Sequence, residues 1–389
     1  MPRPAALRER RLRHNVFLRI GEEIQRRAGG ARPPVALHVG DTWLDLPPEL
    51  NAPLPEEPWA ERLSRYGDTR GEIELRRRLV PKLAERNRLP VSDPAEVQIT
   101  LGATGALFIG MRRLLAPGDE VLVLSPQWTI LRAVARAAGV RMVEAPFFHR
   151  LAAEPGGDLA AWIEPHLTER TRALYFNSPN NPTGVLLHRR HLERLADLAR
   201  ARDLWVLSDE AYEDFVWSDA GHVSIGSLPG MFERTVSIYS FSKSYAGAGL
   251  RLGYAAAPAG VIAAINPGQV GVSYEPNRPA QVMGIRGLAR REAVVPRLRA
   301  AYREGLDAAL ANIRVPHLEP EGAWYLFLDL RDRWTGLDDT AKLERMAAAG
   351  VFVSPGEAFG AAYDGWARFC FTSELPDLVA EAARRAADL

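Results

Sequence analysis

The residue best suited to covalent chemistry is Lys243, in the run Ser240-Phe241-Ser242-Lys243-Ser244-Tyr245. The chain has only three lysines and otherwise uses arginine for positive charge. Arginine does not lose its proton in a protein, whereas a lysine with a shifted pKa can attack a carbonyl and form a Schiff base. Lys82 and Lys342 fall on polar positions of helix-patterned segments and are read as solvated surface. Three further clusters could serve such an amine. Asp209 opens Asp209-Glu210-Ala211-Tyr212, a carboxylate that could face a cationic ring. Gly102-Ala103-Thr104-Gly105 leads into a helix, where small residues let backbone N–H groups approach an anion. Ser240 and Arg251 add two anion donors on either side of the lysine. Taken singly, each has a plainer reading: a solvated loop lysine, an aspartate capping a helix, a tight turn.

These clusters share one kind of place, just past the end of a short apolar run. The runs Glu96 to Thr100, Glu120 to Leu124, Arg172 to Phe176, Leu204 to Ser208, Thr235 to Ser240 and Leu252 to Ala257 alternate with helix-periodic segments. Helices are expected near Ala106 to Leu115, Ile130 to Ala138 and Arg189 to Arg202. That alternation predicts an α/β domain with a largely parallel sheet, and such sheets bind ligands outside the carboxyl ends of their strands. From Pro279 a long helical pattern runs through Arg291 towards Ala311, before strands at Ala323 to Asp329, Val351 to Ser354 and Ala367 to Thr372. A second, smaller α+β domain follows from this mixture. The segment up to Trp43 is too short to fold alone and is expected to pack onto it. The predicted boundaries are 44–283 for the large domain, with 1–43 and 284–389 as a discontinuous small one.

The composition narrows the function classes. A formal charge of +1 gives no global attraction to nucleic acid or to an anionic membrane, so any anion site must be local. The single cysteine, Cys370, excludes an intrachain disulfide framework and suits a reducing, cytoplasmic compartment. No apolar run reaches the roughly 20 residues of a membrane span. The basic stretch Arg8 to Arg13 lacks the apolar region of a secretory signal and is read as a surface helix turn. The eight histidines show no metal-binding spacing, and no metal is expected.

An amine for an aldehyde, a carboxylate for a pyridinium nitrogen and a cradle for a phosphate are together the needs of pyridoxal 5'-phosphate. At this point the chain resembles the class I/II aminotransferases of fold type I, in the branch with Asn177-Ser178-Pro179-Asn180-Asn181-Pro182-Thr183-Gly184, Ser208-Asp209-Glu210-Ala211-Tyr212 and the Ser240 to Gly253 segment. The likeness extends over most of the chain, including Gly40, Pro47-Pro48, Tyr66, Gly71, Leu75-Arg76, Pro355 to Gly360 and Arg368. It implies a large domain with a mostly parallel central sheet flanked by helices, plus the smaller α+β domain. It also implies a ping-pong exchange between an L-amino acid and a 2-oxo acid. In that resemblance Lys243 holds the cofactor and shuttles the proton, while Asp209 keeps the ring nitrogen protonated. Asn181 and Tyr212 hydrogen-bond the phenolic oxygen, and Trp128 stacks on the ring. Ser240, Arg251, Thr104 and the Ala103 backbone hold the phosphate, joined by Tyr66 from a neighbouring subunit, which implies a homodimer with shared sites. Arg368 clamps the substrate carboxylate, with Gly40 and Asn181 beside it. Core packing is the plainer reading of Trp128, and a solvent-facing strand residue that of Arg368.

Two departures bear on substrate. Relatives that use dicarboxylates can place a lysine where this chain has Thr104, and the usual acidic string near the start is replaced by Gly40-Asp41-Thr42-Trp43-Leu44. With Phe17 and Trp43 as candidates for the substrate side, or equally as core, the expectation leans to an apolar or aromatic amino acid. Arg278 could instead bind an acidic side chain, although Glu275 lies close by as a structural partner. Three rivals remain. A C–S lyase or synthase of the same fold would use the same lysine and carboxylate. Ser240-x-x-Lys243 matches the SxxK of serine acylases, but the accompanying motifs are missing and that motif should open a helix. A cofactor-binding regulator would need a DNA-binding domain, for which the residues before Gly40 are too few.

Overall fold

The structure, a computed structural model, describes residues 16–30, 33–51 and 63–389, so the Arg8 to Arg13 stretch lies outside it. Strands β1 (Val35–Ala36), β2 (Val97–Leu101), β3 (Glu120–Ser125), β4 (Arg141–Pro146), β5 (Thr171–Asn177) and β6 (Trp205–Asp209) come first along the chain. They are followed by β7 (Thr235–Ser240), β8 (Leu252–Ala256), β9 (Tyr325–Asp329), β10 (Val351–Phe352), β11 (Ser354–Pro355) and β12 (Trp366–Cys370). The chain divides into two compact units. The larger comprises Leu44–Ala300 and Pro320–Ala323, the smaller Met1–Trp43, Ala301–Glu319 and Trp324–Leu389. The division thus falls at Ala300/Ala301, within the helix Arg291–Asn312, and not at the expected 283/284. The helical pattern from Pro279 is in fact two helices, Arg278–Ala289 and Arg291–Asn312, interrupted at Arg290.

The larger unit is built on a seven-stranded sheet in the order β2-β8-β7-β6-β5-β3-β4. All its strands run parallel except β8, which is antiparallel to both β7 and β2. β3 and β7 are buried along their whole length, as strands covered by helices on both faces must be, and this is why they read as continuous apolar runs. The helix Gly102–Leu114 packs on β7, β8 and the helix Ala259–Ser273, and Leu107, Val123, Tyr175, Leu207 and Ile238 lie in its core. Each such side chain contributes roughly 1.5–3 kcal/mol through burial. β4 was not foreseen because an edge strand of sequence Arg-Met-Val-Glu-Ala-Pro carries neither alternation nor an apolar run. In the smaller unit β11, β12 and β9 form an antiparallel sheet, while β1 pairs in parallel with β10. The expected strand Val351 to Ser354 is therefore split between two sheets.

Two lysines correct the surface reading. Lys82 is buried in the larger unit, where its Nζ donates to Glu213 at 2.5 Å and to Asn87 at 2.9 Å and lies 4.3 Å from the Tyr239 ring centroid. Lys342 is buried in the smaller unit, paired with Glu357 and, at 2.9 Å, with Asp364. Carboxylates supplied from distant sequence positions make both burials tolerable, and local patterning cannot register them.

Candidate active site

Strand register assembles the site in the larger unit. Asn177 ends β5 beside Asp209, which ends β6, and Asp209 pairs with Ile238 of β7. Ser240 at the end of β7 faces Gly253 of β8, which also pairs with Thr100 of β2. Because β8 runs antiparallel, its beginning lies at this same edge and delivers Arg251 there. The ends of β2, β5, β6 and β7 and the start of β8 thus share one rim of the sheet, the place where parallel sheets bind ligands.

The anion cradle is shaped by small residues. Gly102 has φ +66°, and a Cβ on it would stand 2.8 Å from Arg251 Nη2. A Cβ on Gly253 would reach 2.5 Å from the Gly102 carbonyl carbon and 2.7 Å from the Ala103 nitrogen. Only glycines allow the Arg251 guanidinium and the start of the helix Gly102–Leu114 to close around one spot. No side chain caps that helix start, so its first N–H groups, with Ala103 and Thr104, offer themselves to an anion. Arg251 itself holds φ +50°, a conformation costly for a non-glycine residue, and its Nη1 donates to the Ala248 carbonyl at 2.9 Å. Ser240 caps the four-residue helix Phe241–Ser244 by accepting from the Ser242 N–H at 3.1 Å. The SxxK segment thus opens a short helix after β7, as an acylase motif would. The acylase reading fails instead on its missing partner motifs.

Lys243, half-buried, projects from that helix with its Nζ 5.7 Å from the Tyr212 ring centroid. Asp209 is 5% exposed. Burial pushes its carboxyl up to about 6, against the N–H of Ala211 and the Tyr175 hydroxyl, with Glu210 raising it and Lys243 lowering it. Oδ1 accepts from Ala211 N at 3.2 Å and Oδ2 from Tyr175 Oη at 3.1 Å. Asn177 ties two loops together: its Nδ2 donates to the Asp209 carbonyl at 2.9 Å while its Oδ1 accepts from Asn181 N at 2.7 Å. Asn181 and Tyr212 are both buried at the same rim. Trp128, past the end of β3, is partly buried and packs in part on the core. Tyr66 stands apart, 84% exposed, with its ring 5.0 Å edge-on from Tyr274. Arg278 pairs with Glu72 and donates to the Arg65 carbonyl at 2.9 Å, and Glu275 accepts from Gly67 N at 2.6 Å.

In the smaller unit Arg368 is 4% exposed, which rules out the solvent-facing alternative. Its guanidinium lies 4.5 Å from the Tyr325 ring centroid and 4.9 Å from that of Phe359. Nη2 donates to the His38 carbonyl at 2.8 Å. A Cβ at Gly40 would collide with the Tyr325 hydroxyl, so Gly40, Tyr325 and Arg368 form one local cluster. Trp43 is 37% exposed and donates its N–H to the Thr372 carbonyl, and Phe17 lies half-buried on the helix Val16–Arg27.

The residues present fit pyridoxal 5'-phosphate: an uncapped helix start with guanidinium and hydroxyl for a phosphate, a buried carboxylate for a ring nitrogen, and an amine between them. Tyr175, Asn177, Glu210 and His222 were missed as supporting residues. Buried parallel strands lack the alternation that would single out Tyr175, and His222 reaches Glu210 from a loop twelve positions away. No group of residues suited to a metal occurs among the described residues, and none of their helices is long and apolar enough to cross a membrane.

Residues 35–385 match the family profile "Aminotransferase class I and II". An aspartate aminotransferase of Pyrococcus abyssi is 34% identical over 357 residues, covering 90% of each chain. An arginine–pyruvate transaminase of Pseudomonas aeruginosa is 36% identical over 347 residues, covering 85% of this chain and 84% of its own. Among solved structures, an aromatic aminotransferase from Pyrococcus horikoshii superposes with a TM-score of 0.83 at 33% identity, over 94% of this chain and 97% of its own.

Proposed function

The chain belongs to the class I and II aminotransferases, and from that premise we propose that it moves the amino group of an L-amino acid to a 2-oxo acid with Lys243 as covalent anchor and proton carrier. The observation that supports this most is the convergence of Lys243, Asp209 and the Gly102–Thr104, Ser240, Arg251 cradle on one rim of the sheet. Pyridoxal 5'-phosphate, when bound, supplies an aldehyde carbon for the amine and a ring that accepts the electron pair left at the substrate Cα. Asp209 would hold the proton on the ring nitrogen, Asn181 and Tyr212 would donate to the ring's phenolic oxygen, and Trp128 would cover the ring. Once freed by the substrate amine, the Lys243 Nζ would carry the proton from the substrate Cα to the cofactor carbon on the far side of the amine nitrogen. Arg368 binds the substrate carboxylate, and its planar guanidinium, held between the Tyr325 and Phe359 rings, suits a bidentate contact.

For substrate we propose an apolar or aromatic donor. Val39 at 49% and Trp43 at 37% exposure flank Gly40 on the segment whose His38 carbonyl receives Arg368, and Thr104 supplies no cation for a second carboxylate. The relatives named above span aspartate, aromatic and arginine donors and leave this open. We further propose a homodimer in which Tyr66, exposed on its own chain, completes the phosphate cradle of its partner. Activity retained in a dilute, strictly monomeric preparation would remove that. A cytoplasmic setting fits the one buried, unpaired cysteine.

The test is spectroscopic. The yellow holoenzyme, mixed with single amino acids, should lose its visible band with the true donor and regain it with a 2-oxo acid. Release of pyruvate and thiol from cystathionine without an acceptor would point to lyase chemistry instead. A kcat/KM that favours aspartate over phenylalanine would overturn the substrate proposal.

A further inference from the structure

Tyr175 lies in the middle of β5, fully buried, in register with Leu207 of β6. Side chains two apart on a strand share a face, so Tyr175, Leu207 and Asp209 point the same way, and the Tyr175 hydroxyl reaches Asp209 Oδ2 at 3.1 Å. The ring packs in the core with Val123 and Leu207, which means the hydroxyl is its one polar atom in an otherwise apolar setting. We propose that Tyr175 is a positioning residue that decides where the proton shared by Asp209 and the cofactor's ring nitrogen comes to rest.

The inference rests on the role given above to Asp209. A carboxylate that is buried has an increased appetite for protons, and one basic enough would take the proton from an aromatic nitrogen instead of leaving it there. That outcome would remove the positive charge that makes the ring an electron sink. Two donors oppose it: the Ala211 N–H on Oδ1 and the Tyr175 hydroxyl on Oδ2. With both oxygens engaged, the plane of the carboxylate is also fixed. The other charged groups near Asp209 are Glu210, which favours protonation, and Lys243, which opposes it. Glu210 is itself satisfied by Ser208 at 3.0 Å, by His222 at 2.8 Å and by Ser224. The Tyr175 phenol remains a donor throughout the working range, since burial and the Asp209 charge hold its own ionisation well above that of a free tyrosine.

The experiment is 15N NMR of the holoenzyme carrying ring-15N pyridoxal 5'-phosphate near neutral pH, in the natural protein, Tyr175→Phe and Asp209→Asn. Asp209→Asn should give the resonance of an unprotonated nitrogen. Tyr175→Phe, which keeps the ring and its packing, should move the resonance part of the way there. A hydrogen bond to a charged group is worth about one power of ten in the ratio of protonated to unprotonated nitrogen. A purely structural role for Tyr175 would lower the melting temperature and leave the resonance where it was. A natural-protein resonance in Tyr175→Phe overturns the inference about Tyr175, whereas one in Asp209→Asn overturns the reading of Asp209 beneath it. If Tyr175→Phe does not retain the cofactor, 4-aminophenylalanine at position 175 keeps the shape with a weaker donor. An intermediate resonance then supports the inference and an unchanged one overturns it.

Discussion

Asp209, the last residue of β6, and Asp214, five residues further on, are treated oppositely by the protein. Asp209 is raised to about 6, because burial dominates and its partners are a phenol, an amide and the more distant Lys243. Asp214 feels the same burial, yet Arg291, Lys82 and a hydrogen bond from Ser244 outweigh it and hold the carboxyl below its ordinary range. The second is a finished ion pair within a larger network: Arg291 reaches Asp214 and Tyr245, and Lys82 reaches Glu213 and Asn87. The first is short of positive charge. A carboxylate buried without a matched cation is costly, so one that persists marks a place where a ligand supplies the missing charge. The Asp214 network also holds Ser244 and Tyr245, the two residues after Lys243, so the completed site steadies the one awaiting its ligand.

The sharpest way to break the comparison is to change the cation and keep its charge. Lys243→Arg preserves the field at Asp209 but leaves a group that cannot lose its proton or attack a carbonyl. Turnover should fall by at least about a thousandfold with the melting temperature little changed. If charge alone mattered at this site, the variant would stay active, and a steady-state assay decides.

Asparagine at each aspartate should then separate the two. Asp214→Asn leaves Arg291 buried beside a neutral group and should cost about 3–5 kcal/mol in urea denaturation. Asp209→Asn should do the reverse in the cofactor-free protein. A carboxyl whose folded pKa is raised from 3.8 to about 6 binds more protons folded than unfolded, so it lowers stability as pH rises through that window. Removing it should stabilise the cofactor-free chain at pH 7 by up to about 3 kcal/mol while abolishing most activity. Equal destabilisation by both substitutions would erase the distinction.

The contrast also explains what could be read from the sequence. Lys243, Asp209, Asn181 and Arg251 were legible because strand ends carry them into short polar motifs, and a parallel sheet gathers such ends at one rim. The ion-pair network was not. Lys82, Glu213 and Arg291 lie far apart in the chain, and each looks locally like one more charge on a helix or loop. Tyr175 was hidden in the opposite way, as an aromatic in a strand that is apolar along its middle. The short strands β1, β10 and β11 of the smaller unit went unseen or merged, since two residues give no period to detect.

The smaller unit offers the mildest test of the same principle, with the sign of charge reversed. His38 lies beside Arg368, and burial followed by the Arg368 charge lowers its pKa from 6.5 to about 4. Its Nδ1 is buried with no hydrogen-bond partner among the described residues, which again favours the neutral ring. A base with a lowered folded pKa gives stability that is full above 6.5 and is lost as pH falls towards 4, because the unfolded chain takes up the proton first. His38→Gln should therefore flatten the acid limb of a stability–pH curve, removing about 2 kcal/mol of the loss seen between neutral pH and pH 5. The same variant also bears on function, since a protonated His38 would add a second cation next to the carboxylate clamp. If His38→Gln leaves the acid limb as steep as before, the histidine is already charged in the folded protein, and burial beside Arg368 does not keep its ring neutral.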